Sequence, residues 1–466
     1  MEFLILLALP ALLAWGIVYV RWAGVAGCLL ASLLAGTVIG HPFFHLSVIT
    51  VDRLMLGGCV AIFVGYQLRG WNQPRIYSPT DLLLMFFLGA LILTTLVRPS
   101  ADDPTGPYSK LIFFFLLPAL MYVLGGQVTL TPIQLRWMYA ALAALGIYLS
   151  LTAVAEKLDW KWAVFPRYIS DPKFAEFLGR GRGPLLNPAA NGILLTLALS
   201  CGIMPLLWYR GLRRVLVLAA VPIYLVGILC TMTRSVWLGC GAMLLGIAFA
   251  LAPSRWRFSI AMAMLGCGSL AMLVDLKVLL SFKRDRNVSA AQMSESAQLR
   301  PILAMVAWKM FLDRPLLGCG TDQYLATAKT YLSDRSTELP LEKARPYVQH
   351  NMFLAMLVEN GLVALVPFCL LLLSWSRWSW RLWMSPQLAV EFRQLGLVSL
   401  SLIAAYVING MFHDVLIFPM INMYLFFVAG TVRNCAVHLI PLRRMQAVPF
   451  FQYAPAPLAY RTIRPA

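Results

Sequence analysis

Apolar stretches, each about as long as a helix needs to cross a bilayer, alternate with short polar connections along nearly the whole chain. They fall near residues 3–20, 23–40, 50–68, 80–97, 110–125, 134–155, 188–209, 214–231, 235–252, 258–275, 351–374, 394–412 and 415–432. The period-two alternation of barrel strands is absent. Backbone surrounded by lipid must satisfy its hydrogen bonds within a helix or a closed barrel, so the pattern predicts an all-α polytopic membrane protein with about 12 transmembrane helices. The first run carries no basic stretch ahead of it and is followed at once by Arg21 and a second run. It reads as a retained helix rather than a cleaved signal. The resulting organisation is N-terminal transmembrane helices over 1–275 with an outer loop at 156–187, an outer loop over 276–350, C-terminal transmembrane helices over 351–432, and a tail over 433–466.

The long loop has helical texture of its own. "LRPILAMVAWKMFLDRP" spaces its apolar residues by three and four and stops at "RPLLGCG", and "TDQYLATAKTYLSDRS" opens on a Thr-Asp cap signal. Both are expected to lie as amphipathic helices along the outer surface.

Arginines orient the chain. Arg69 and Arg75, Arg136, the group Arg210, Arg213 and Arg214, then Arg255 and Arg257, Arg377 and Arg381, and Arg433, Arg443 and Arg444 occupy alternate connections, which are therefore cytoplasmic. The long loops and the C-terminal tail then lie on opposite faces, the tail cytoplasmic.

Of the 466 residues, 60% are hydrophobic and only 12% charged, about half the charged fraction of a soluble domain. The net charge of +18 is partly explained by cytoplasmic loops meeting anionic lipid headgroups. That does not account for the basic outer segments "SFKRDRNVSAAQMSESAQLR" and "LGRGRGPLLNPAANG", which point to an anionic ligand. Eight of the nine cysteines lie in or beside apolar runs and read as small hydrophobes rather than disulfide partners.

HExxH, CxxC, P-loop and GxSxG signatures are all missing, and the outer face carries no Asp-x-Asp for a divalent cation, so neither metal nor cofactor is expected. Arginines and one histidine remain. Arg234, at a junction of two apolar runs, falls at the outer membrane border. Arg180 and Arg182 stand in the glycine-rich turn that closes the loop 156–187, Arg300 precedes Pro301 at a predicted helix start, and His350 ends the long loop. Guanidinium forks match phosphate oxygens, which at this height suggests the diphosphate of a polyprenyl carrier. Fixed arginines stabilise a departing diphosphate, and a histidine kept neutral by neighbouring cations accepts the proton of an attacking hydroxyl. Glu359 lies too far along the helix from His350 to orient it and is expected to pack or cap a loop. Tyr347 and His413 are further candidates for substrate contact.

These residues sit in motifs. "HNMFLAMLVENGLVAL" resembles the His-Asn, Glu-x-Gly-Leu signature of the O-antigen ligase and polymerase superfamily. "DRPLLGCGTDQY" resembles its Pro-Leu-x-Gly-x-Gly element, "TRSVWLG" its Thr/Ser-Arg helix, and "RGRGPLLNPAANG" its Asn-containing helix start. The resemblance spans 180–365 and implies a GT-C-like, metal-independent, inverting glycosyltransferase of the bacterial inner membrane, with a periplasmic active site. It implies His350 as catalytic base and Arg234 and Arg300, with Arg182 and Arg180, as diphosphate-binding residues. Asn187, Asn191 and Asn351 are possible substrate contacts; the spacing "NPAAN" departs from relatives in which the two asparagines stand closer. The implied partners are an undecaprenyl-diphosphate-linked O-antigen donor, a lipid A-core acceptor and membrane lipids, with no nucleic acid. O-antigen polymerases and protein O-oligosaccharyltransferases share the signatures. A lipid-linked oligosaccharide flippase or transporter is the alternative from another class, disfavoured because the runs from 188 to 275 are almost free of charge.

Overall fold

The computed structural model describes residues 25–39, 45–46, 49–70, 77–99, 105–127, 130–262, 290–345 and 347–446. Its helices are α1 (Val25–Ile39), α2 (Val51–Leu68), α3 (Pro79–Val97), α4 (Gly106–Gly125), α5 (Pro132–Lys157), α6 (Pro188–Leu207), α7 (Leu212–Cys230), α8 (Arg234–Leu251), α9 (Ala290–Asp313), α10 (Met352–Trp383), α11 (Val390–Gly410) and α12 (Pro419–Gln446). A two-stranded ribbon, β1 (His45–Leu46) with β2 (Ile49–Thr50), precedes α2. Among the described residues nine helices, α3 to α8 and α10 to α12, are long and apolar enough to span a membrane. Each coincides with a run predicted from the sequence. The runs 3–20 and, for most of its length, 258–275 lie outside the described residues, as does the tail from 447.

Helix α6 is buried on every side, from Pro188 to Cys201, and forms the centre against which α5, α7, α8 and α11 pack. By contrast α3 and α7 turn Leu82, Phe86, Leu93, Leu216 and Leu229 outward, where lipid rather than water is the partner these side chains need. The main core runs through the spanning helices and includes fully buried Trp375, Tyr139 and Tyr424. A second, smaller core lies in the lobe formed by α9 and the segment after it, where Leu303, Val306, Met310, Tyr324 and Leu341 close over Val358 of α10. The described cysteines are free thiols, most of them buried.

Three expectations change. Helix α9 begins at Ala290, so Arg300 lies within it and Pro301 is an internal proline rather than a first residue. Tyr324–Ala328 and a 3-10 turn, Lys329–Tyr331, replace the longer second amphipathic helix. Helix α12 continues to Gln446, so Arg433 is a fully buried bundle residue and not a loop arginine.

Candidate functional site

Helix α10 is broken where the His350 motif meets its glycine: Gly361 has φ 68° and ψ −170°. Such a break leaves backbone groups to be satisfied inside the bundle. The chain at 315–320 satisfies them. Cys319 and Gly320 donate to the carbonyls of Val358 and Glu359 at 2.8 and 2.9 Å, while Leu362 and Val363 donate to those of Pro315 and Leu316 at 2.9 and 3.2 Å. The fit tolerates no side chain at Gly361, where a Cβ would lie 2.0 Å from the Leu316 oxygen. The Pro-Leu-x-Gly-x-Gly and Glu-x-Gly-Leu elements are thus two halves of one joint.

Around it runs a polar belt. Lys110 Nζ lies 3.2 Å from Glu359 and 3.3 Å from Asp322, and the Asp322 N–H donates to Glu359 at 3.1 Å. Asn360 donates to Thr94 and Thr321 at 2.9 and 2.8 Å. Asp414 faces Lys110 and Glu359; burial pushes its carboxyl up to about 6 against the pull of Lys110. Glu359 therefore caps a loop, as expected. Its partner Lys110 went unread, although opposite charges isolated in two apolar runs are a signal for pairing.

The start of α10 is held by Asn351, whose side chain accepts from the N–H groups of Phe353 and Leu354 and donates to the Met411 carbonyl at 3.0 Å. His350, one residue earlier, adopts φ 42°, and Met232 and Leu186, each just before the N-cap of its own helix, adopt 50° and 53°. Left-handed backbone at non-glycine residues costs roughly 1–3 kcal/mol and persists only where surroundings enforce it. At Met232 the enforcer is Arg180, which donates to the Met232 carbonyl at 3.0 Å and to Thr233 Oγ1 at 2.9 Å. Arg234 follows as the first residue of α8.

Arg234, Arg300 and His350 come together. Partial desolvation and then the Arg234 charge lower the pKa of Arg300, and partial desolvation and then the Arg300 charge hold the His350 imidazole below the ordinary histidine value, although both residues keep exposed surface. No carboxylate balances them: among the described residues neither arginine forms an ion pair, and Arg300 rests instead over the ring of Phe412, 5.4 Å from its centroid. His413 Nε2 lies 3.1 Å from Ser235 Oγ, beside Arg234. Helix dipoles add to the effect, because α8 and α10 both present N-termini here.

Other sequence-derived residues sit differently. Arg182 is fully buried, and its guanidinium donates to the carbonyls of Ile169, Phe174 and Glu176, with Glu156 3.9 Å away. It organises the loop 156–187. Arg180 clasps the chain at Thr231–Thr233, immediately before Arg234. Asn187 caps α6, and Asn191, wholly buried, donates to the Gly181 carbonyl at 3.0 Å. Tyr347 is exposed. Phe412 was not anticipated, and nothing in a phenylalanine flanked by apolar residues marks it.

The arrangement is an electropositive cluster with an imidazole of lowered pKa beside it, suited to hold an anion. The family model described as O-antigen ligase matches residues 219–369, from within α7 to within α10. That span contains Arg234, Arg300, His350 and both halves of the joint, but not Arg180 or Arg182. No curated protein matches the chain.

Proposed function

We propose that this chain, a member of the O-antigen ligase family, is a glycosyltransferase that moves O-antigen from undecaprenyl diphosphate to a hydroxyl of lipid A-core on the periplasmic face of the inner membrane. What carries the reading is a pair of arginines without carboxylate partners among the described residues, beside an imidazole whose pKa is lowered. Two adjacent arginines, one half-buried at the start of a bundle helix and one exposed on α9, are suited to a multiply charged anion.

In this reading Arg234 and Arg300 bind the donor diphosphate. The acceptor oxygen attacks the anomeric carbon from the opposite side as the bond to the diphosphate oxygen breaks, which inverts the centre. The electron pair of the broken bond leaves with undecaprenyl diphosphate, and the arginines stabilise the charge that develops there. His350 takes the hydroxyl proton, for which its neutral form is required.

The test is transfer by purified protein in nanodiscs supplied with donor and acceptor. Wild type is expected to form the new glycosidic bond, and His350→Ala to lose about 10²–10⁴-fold in rate while still binding donor. Movement of donor across the bilayer without bond formation would identify a flippase. In a deletion strain, loss of long chains with accumulation of lipid-linked polymer supports the ligase, whereas a core bearing one repeat unit supports a polymerase.

A further inference from the structure

We propose that Phe412 is a positioning residue of this site: the face of its ring holds the Arg300 guanidinium beside Arg234 and His350 without neutralising it. The inference rests on the reading of Arg300 as a diphosphate-binding group.

Arg300 belongs to α9, in the outer lobe, whereas Arg234 and His350 stand at the starts of two bundle helices. The Arg234 charge repels it. Something must hold the guanidinium in place before an anion arrives, and the contact found is the Phe412 ring at 5.4 Å. A carboxylate at that position would grip harder, but it would cancel the charge that a diphosphate needs. An aromatic face attracts the cation through its quadrupole and leaves both the charge and the N–H donors available to a ligand.

Phe412 is itself fixed by what surrounds it. Its N–H donates to the Asn409 carbonyl at 3.0 Å. The preceding carbonyl, of Met411, accepts from Asn351, next to His350, at 3.0 Å. The following side chain, His413, lies 3.1 Å from Ser235, next to Arg234. Three consecutive residues of one turn therefore touch the three segments that carry Arg300, His350 and Arg234. The turn sets the spacing of groups that are far apart in sequence.

The experiment measures binding of a polyprenyl diphosphate to the full-length protein in nanodiscs, together with donor and acceptor kinetics. Phe412→Leu is expected to weaken binding about five- to tenfold and to raise donor KM by the same factor, with acceptor KM and the thermal midpoint unchanged. Phe412→Tyr and Phe412→Trp, which keep a π face, bind as wild type does. In an Arg300→Gln background Phe412→Leu adds no further loss, because the ring acts through that guanidinium. Were Phe412→Leu to unfold, Phe412→Met against Phe412→Tyr gives the same contrast. Wild-type binding by the aliphatic variant, or a loss that persists in full without Arg300, overturns the proposal. Undiminished binding by Arg300→Gln alone overturns the underlying reading of the site instead.

Discussion

Arg433 and Arg300 bring the same guanidinium into one protein, and their surroundings are opposite. Arg433, with no exposed surface, is paired with Asp81 and donates to Ser78 at 3.2 Å, while Asp81 also accepts from the Ser78 N–H and hydroxyl at 2.7 Å each. Arg136 is likewise matched, donating from Nε to Glu391 at 2.8 Å. Arg300 has a neutral ring on one side and the charge of Arg234 on the other. The first arrangement compensates desolvation with an opposite charge and locks α3 to α12. The second sets an exposed guanidinium beside a half-buried one with no carboxylate between them among the described residues, a like-charge repulsion that a bound anion would relieve. One kind of arginine belongs to the fold; the other, in the proposed function, serves the ligand.

Three perturbations break or sharpen this contrast. Removing the paired cation is expected to cost most: Arg433→Leu strands Asp81 and lowers folding stability by about 3–5 kcal/mol, with transfer per folded molecule unchanged. Replacing Asp81 by leucine in the same chain restores much of the loss. Unfolding in denaturing detergent, read alongside specific activity, checks both. The unpaired cation behaves inversely. Arg234→Ala is expected to reduce transfer about 10²–10³-fold while leaving stability equal or slightly higher, since repulsion with Arg300 is relieved. A large stability loss in Arg234→Ala would end the distinction. The smallest effect concerns pH. In the proposed mechanism His350 acts when neutral, and partial desolvation together with Arg300 lowers its pKa, so the acidic limb of kcat/KM should fall below the ordinary histidine value. Arg300→Gln removes one of these causes and should move the residual activity's limb upward. A limb that stays in place would show that Arg300 does not govern the imidazole.

Legibility of the sequence followed the range of the interactions involved. Spans could be read because an apolar run is a local property, and its length alone decides whether it crosses a bilayer. His350, Arg234 and Arg300 were readable as candidates because charged or titratable groups at such borders are costly and few. Arg182 shows the limit: from the sequence it looks like Arg234, a cation beside an apolar run, yet nearby carbonyls and Glu156 claim its donors. Helix α9 shows another. Pro301 signals a helix start, but an internal proline is tolerated in a helix anchored by the smaller core.

By itself the sequence determined a polytopic helical bundle and a short roster of cations with one imidazole. Tertiary structure decided which of those cations acquire a counter-charge. It also decided how the glycines near 318 and 361 interlock, and that a phenylalanine between two late helices would carry Arg300. Hydrophobic length is written in consecutive residues, whereas the balance of a buried charge depends on what the folded chain brings within a few ångströms of it.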